Sequence, residues 1–241
     1  MRFSPKFITR SRERIVFEEV SLHPSPQAFG PKREGRTVDV RGGYRHSILS
    51  TMTIHPQELA RALTNALNPF VIFTALFALA AFAEAGAYKG VLYLAVELTA
   101  AAAVAGYVLF MRRRSRVGDF WISARAERLT PAVFLLAAFV ALLAALVLLD
   151  APQDLTLLTL SMGIASTAVA GITLLWKASA HCTVAGHAAA AGLVLLGPPG
   201  CVFLLVLPLV VWSRVKVKAH TLLQTLAGAA VGAAFAVLFL A

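Results

Sequence analysis

Seven apolar runs, at residues 69–86, 90–111, 131–149, 154–176, 182–196, 201–212 and 220–241, dictate what this chain can fold into. A helix needs about 17–25 apolar residues to cross roughly 30 Å of hydrocarbon, and most of the runs reach that length. With 59% of residues hydrophobic and 14% charged, no soluble domain could hide so much apolar surface in one core. The expected fold is therefore all-α: a polytopic transmembrane helix bundle of about six or seven spans. The fifth and sixth runs are short, and Gly197-Pro198-Pro199-Gly200 separates them, a sequence that breaks a helix. They form either a shallow hairpin or one kinked span, and only the hairpin returns the chain to the face that holds His181.

The formal charge of +10 would suggest a nucleic-acid partner if the basic residues shared a soluble face. Instead they lie in the N-terminal segment and in the gaps between apolar runs, which is a membrane-topology pattern, so no nucleic acid is expected. Residues 1–51 carry ten Lys/Arg against five Asp/Glu, with Pro24, Pro26 and Pro31 and no apolar periodicity, and read as a flexible basic tail. Met52 opens a stretch that reads as an ordinary start, with residues 52–68 forming an amphipathic lead-in helix to a transmembrane domain at 69–241. The first apolar run begins too late for a cleavable signal. Cys182 and Cys201 border apolar runs and supply neither a disulfide framework nor a zinc ligand set.

From Met52 onward, ten of the twelve Lys/Arg fall in three gaps. These are Arg112, Arg113, Arg114, Arg116, Arg125 and Arg128; then Lys177; then Arg214, Lys216 and Lys218. The alternate gaps hold Lys89, Asp150 and Asp154. If all runs span, the basic gaps share one face, which the positive-inside rule makes cytoplasmic in a multi-pass cell-membrane protein.

The same gaps carry the residues that could build a phosphate site. The third has Ser213-Arg214, five residues, His220, three residues, Gln224. His220 and Gln224 are four apart on a helix and therefore stack on one face, which lets the amide accept from one ring nitrogen and leaves the other free for chemistry. The second has Lys177, Ser179 and His181 opening a helix whose N-terminal amides favour an anion. The first has Arg116, Arg125 and Arg128 ahead of Pro131.

These residues resemble the type 2 phosphatidic acid phosphatase superfamily, whose relatives include lipid phosphatases and vanadium haloperoxidases. The family's three motifs, K-x6-R-P, P-S-G-H and S-R-x5-H-x3-D, appear here in order. Ser213, Arg214 and His220 match the third in register, and Ala178-Ser179-Ala180-His181 stands for the second. Arg116 with Arg125 or Arg128 stands loosely for the first. The resemblance covers residues 69–241 and implies that His220 is the nucleophile taking the phosphoryl group. His181 would then protonate the leaving oxygen and activate water, while Arg214, Arg125, Arg128, Arg116, Ser179, Lys177 and Ser213 hold the phosphate. Gln224 replaces the family's usual Asp: it could orient His220, but it cannot offset an imidazolium.

The expected activity is hydrolysis of a lipid or isoprenoid phosphate or diphosphate, with no metal and no cofactor. The expected partners are that lipid or prenyl phosphate and the bilayer, with homo-oligomerisation left open. The competing expectation is a non-catalytic lipid-phosphate binder or translocator on the same scaffold. Four further residues invite structural readings. Glu97, mid-span, should face the bundle interior, with His187 a candidate partner. His187 should lie nearly opposite His181 on its helix. Gly228 and Gly232 should form a close helix-packing face.

Overall fold

Asn68-Pro69 punctuates the start of the bundle: Pro69 takes the first helical position, and the Asn68 side chain accepts a hydrogen bond from the Val71 N–H at 3.1 Å. The computed structural model describes residues 55–118, 127 and 129–241. Among them are the α-helices α1 (Pro56–Ala66), α2 (Pro69–Arg113), α3 (Leu129–Leu148), α4 (Gln153–Leu175), α5 (Ala180–Leu196), α6 (Val202–Lys216) and α7 (Leu222–Leu240), with a 3-10 turn at Pro198–Cys201 leading into α6. No strand occurs among the described residues. Five helical segments are long and apolar enough to cross a membrane: α2, α3, α4, α6 with its 3-10 lead, and α7. The lead-in helix is shorter than the expected 52–68, because Pro56 opens it and Asn68-Pro69 ends it. The basic segment 1–51 lies outside the described residues.

The first two apolar runs merge into α2, but they do not make one straight rod. Gly86 sits at φ 70°, ψ −175°, a conformation essentially confined to glycine, and there the chain doubles back. Residues 23 apart in a straight helix would be separated by roughly 34 Å, yet the Thr74 hydroxyl donates to Glu97 Oε1 at 2.9 Å. Gly90 lets the two arms meet: a Cβ on it would lie 2.7 Å from the Phe82 ring. At the same end of the bundle, the Tyr93 hydroxyl reaches the carbonyls of Leu149 and Asp150, tying α2 to the end of α3.

A second reversal comes at Gly197, whose φ of 60° ends α5. Pro198 and Pro199 form the 3-10 turn, and Gly200 then sits against the Gly192 carbonyl, with no room for a Cβ between them. The short runs therefore form a hairpin, and the beginning of α5 and the end of α6 lie at the same end of the bundle.

α5 is the central helix. Of its 17 residues, every one from His181 to Ala189 is buried. α7 packs against it along glycines: a Cβ on Gly228 would lie 2.5 Å from the Ser179 carbonyl oxygen, and one on Gly186 2.2 Å from that of Ala229. A Cβ on Gly232 would fall 1.9 Å from the Thr183 carbonyl oxygen. Backbone thus meets backbone along this interface, the packing that small residues make available inside a bilayer. By contrast, α3 turns much of its surface outward, with Leu136, Val140 and Val147 exposed, as a helix facing lipid acyl chains would.

Candidate functional site

The end of α6 explains why the Ser-Arg-x5-His spacing brings its ends together. Val217 caps the helix and Lys218 takes the left-handed conformation at φ 57°. The Lys218 N–H then donates to Val215 O at 2.9 Å and the Ala219 N–H to Arg214 O at 3.1 Å, the paired bonds of a Schellman turn. The His220 N–H also approaches the Arg214 carbonyl, at 3.4 Å. A helix terminus followed by one left-handed residue therefore places His220 beside Arg214.

His181 arrives from the first turn of α5. Ser179 caps that helix, its hydroxyl accepting from the Cys182 N–H at 3.4 Å, and its own N–H donates to the Gln224 carbonyl of α7 at 3.3 Å. His181 and Arg214 are both buried and His220 is half-buried. The Arg214 guanidinium and the His220 ring lie close enough to act electrostatically on the His181 ring. All three line one cavity of about 530 Å³. The rest of its wall is largely apolar, drawn from both arms of α2, from α3 and from α4, with Phe73, Phe139, Leu142 and Met162 among the lining residues.

The remaining expected site residues among the described ones do not line this cavity. Ser179 is fully buried in its capping role. Ser213 donates to the Val210 carbonyl and accepts from the Thr64 hydroxyl at 3.2 Å, which clips α6 to α1. Lys177 and Arg116 are exposed and away from the cavity wall. Arg125 and Arg128 lie outside the described residues. Among the described residues, no three His, Cys, Asp or Glu side chains gather as a metal-ligand set would require.

Gln224 requires a correction. His220 precedes α7 instead of lying within it, because Thr221 is the N-cap. The two residues are thus not stacked on one helical face. The Thr221 hydroxyl accepts from the Gln224 N–H at 3.3 Å, while Gln224 Oε1 accepts from the Thr221 N–H at 3.1 Å. This is a capping box, which satisfies two otherwise orphaned donors. Its signature, Thr-x-x-Gln ahead of an apolar run, stands in the sequence at 221–224.

Glu97 and His187 do not pair. His187 Nε2 lies 2.8 Å from the Ser161 hydroxyl, joining α5 to α4, and this ring is not part of the cavity wall. Glu97 is bound by Thr74 and does line the cavity. A mid-span carboxyl signals an interior position in the sequence, but its membership of the same cavity as His181 and His220 depends on the fold of α2 at Gly86.

No family model, curated protein or solved structure matches this chain.

Proposed function

We propose that the protein hydrolyses the phosphate of an amphiphilic lipid or isoprenoid phosphate through a phosphohistidine on His220. The observation that supports this is the convergence of His181, from the start of α5, with Arg214 and His220, from the end of α6 and the turn after it, on one cavity whose other walls are mostly apolar. Phosphoryl transfer asks for a nucleophile in line with the leaving group and cations at the equatorial oxygens. His220 attacks phosphorus, forming the P–N bond as the P–O bond to the lipid breaks. His181 gives its proton to the departing oxygen, then takes one from the water that attacks the phosphohistidine, releasing inorganic phosphate and restoring both rings. Arg214 holds the phosphoryl oxygens, and the apolar wall holds the chain.

The experiment is inorganic phosphate release by the purified full chain from a panel of lipid and prenyl phosphates, without added metal. Release that falls on Arg214→Ala supports the reading. A second reading, a lipid-phosphate binder or translocator, draws on the capping role of Gln224, which leaves no carboxylate or amide of α7 to hold His220 in the way the resemblance requires. Binding that depends on Arg214 without any phosphate release would favour it.

In the same reading the site faces the cytoplasm, which the ten basic residues in alternate gaps favour by the positive-inside rule. Ser115 and Gln153 are both exposed, at opposite ends of the span that includes α3. In intact cells, with Cys201 first replaced by Ser, Gln153→Cys should react with an impermeant thiol reagent and Ser115→Cys should be protected. Reaction at Ser115→Cys alone would reverse the orientation while leaving the chemistry in place.

A further inference from the structure

We infer that the inner end of the cavity is a second binding point, where Glu97, itself held by Thr74, binds a hydroxyl carried on the chain of the ligand below its phosphate. The inference rests on the reading of the cavity mouth as a phosphate site and adds a selectivity to it.

The cavity runs inward from the basic end of the bundle. On the second arm of α2 its wall extends from Val108 to Glu97, eleven residues, or roughly 16 Å of helix rise. Glu97 is the innermost lining residue of that arm. On the first arm the wall begins at Pro69, and Thr74, the partner of Glu97, lies five residues further in, roughly 7 Å. Pro69 in turn follows α1, whose Thr64 is bonded to Ser213, the neighbour of Arg214. Glu97 therefore sits on the order of 10 Å deeper than the His181, Arg214 and His220 group.

That position is costly for an acid without a purpose, because an ionisable side chain at mid-membrane depth is strongly unfavourable. Glu97 is 3% exposed. One carboxyl oxygen, Oε1, takes the Thr74 hydroxyl, but Oε2 has no hydrogen-bond partner among the described residues. No Lys or Arg among the described residues shares the cavity wall except Arg214 at the mouth. A buried polar atom left without a partner is expensive, and the side chain that carries it lines the cavity.

A hydroxyl fits this site in either protonation state of Glu97. It donates to a carboxylate oxygen, and it accepts from a carboxylic acid while its own proton turns elsewhere. A plain hydrocarbon chain does neither and leaves Oε2 unsatisfied. The cavity would therefore distinguish hydroxylated amphiphiles from unsubstituted alkyl or prenyl chains of the same length, because the penalty of an unpaired buried group falls on the chain that lacks the hydroxyl.

The test uses dodecylphosphonate, which hydrolysis cannot consume, and a series in which one hydroxyl is moved along its carbons. Binding to the purified full chain is measured by calorimetry. At one position, several carbons from the phosphonate, the hydroxyl should tighten binding about tenfold over the parent, the scale of one buried hydrogen bond. That gain should vanish in Glu97→Leu. Glu97→Met, which keeps the length of the side chain without a hydrogen-bonding group, should also abolish it if Glu97→Leu fails to fold. The same gain retained in either variant, or no gain at any position in the native protein, would overturn the subsite. Arg214→Ala separates the two readings. Loss of phosphonate binding there with no hydroxyl effect leaves the phosphate site and removes the subsite. A hydroxyl gain that depends on Glu97 in a ligand whose binding ignores Arg214 keeps the subsite and removes the phosphate reading.

Discussion

His220→Ala is expected to lose phosphate release from every lipid phosphate the native protein hydrolyses, by at least the hundredfold to thousandfold that follows removal of one catalytic donor, and in full if the covalent step is obligatory. His181→Ala should behave differently. Cleavage should be lost for an alkyl leaving group, whereas nitrophenyl phosphate should still give a burst of nitrophenolate, which departs without a proton, followed by slow release of phosphate. Gln224→Ala supplies the contrast, because its side chain closes the capping box at Thr221 instead of holding His220. It should lower thermal stability by about 1 kcal/mol, the usual worth of such a cap, and leave turnover within a few-fold. Assays of release for the three variants, beside thermal unfolding in the same detergent, separate these outcomes. A collapse of turnover in stably folded Gln224→Ala would show that the amide acts on the site after all.

The second large effect concerns the scaffold. Gly232→Val should prevent the bundle from forming, since even the first added carbon falls 1.9 Å from the Thr183 carbonyl oxygen and 2.8 Å from the His187 nitrogen. Both neighbours are backbone of the central helix and cannot rotate aside, unlike a side chain. Overpacking in ordinary cores costs about 1–3 kcal/mol, and here α5 and α7 would have to part along a face that also carries Gly186 and Gly228. The separation would pull Ser179 from Gln224 and move His181 relative to His220. Gly106, around which a Cβ would meet nothing within 4 Å, is the control, and Gly106→Ala should elute as the native protein does. A monodisperse, native-like elution profile for Gly232→Val would show that this interface is looser than its geometry implies.

The long apolar helices were legible because bilayer thickness imposes a length on them, and five of the described segments reach it where six or seven spans were expected. The reversals were legible where prolines and glycines cluster, as at 197–200. They were less so at 86, where charged Lys89 marks the gap in the hydropathy while the turn itself needs the backbone freedom of Gly86 three residues earlier. The Ser-Arg-x5-His spacing carried the mouth of the cavity, since a helix end plus one left-handed residue is a local device whose outcome depends little on the rest of the fold. Gln224 departs from the expected stacking because α7 starts after His220, at the Thr-x-x-Gln cap of 221–224. Ser179 and Ser213 show the other limit. A hydroxyl beside a candidate histidine or arginine looks like a ligand in one dimension, and only packing reveals that it caps α5 or clips α6 to α1. Glu97 joins the cavity through a contact between residues 23 apart in sequence, which no local pattern encodes.

The central claim is that His220 and His181 act on one phosphoryl group within this cavity. It is tested most directly by quenching the full chain in alkali during turnover of a lipid phosphate labelled at phosphorus, then locating the label by peptide mapping. The label should appear on the peptide containing His220, be absent in His220→Ala, and accumulate in His181→Ala with a good leaving group because water is no longer activated. Turnover without label on His220, or label that persists in His220→Ala, would contradict it.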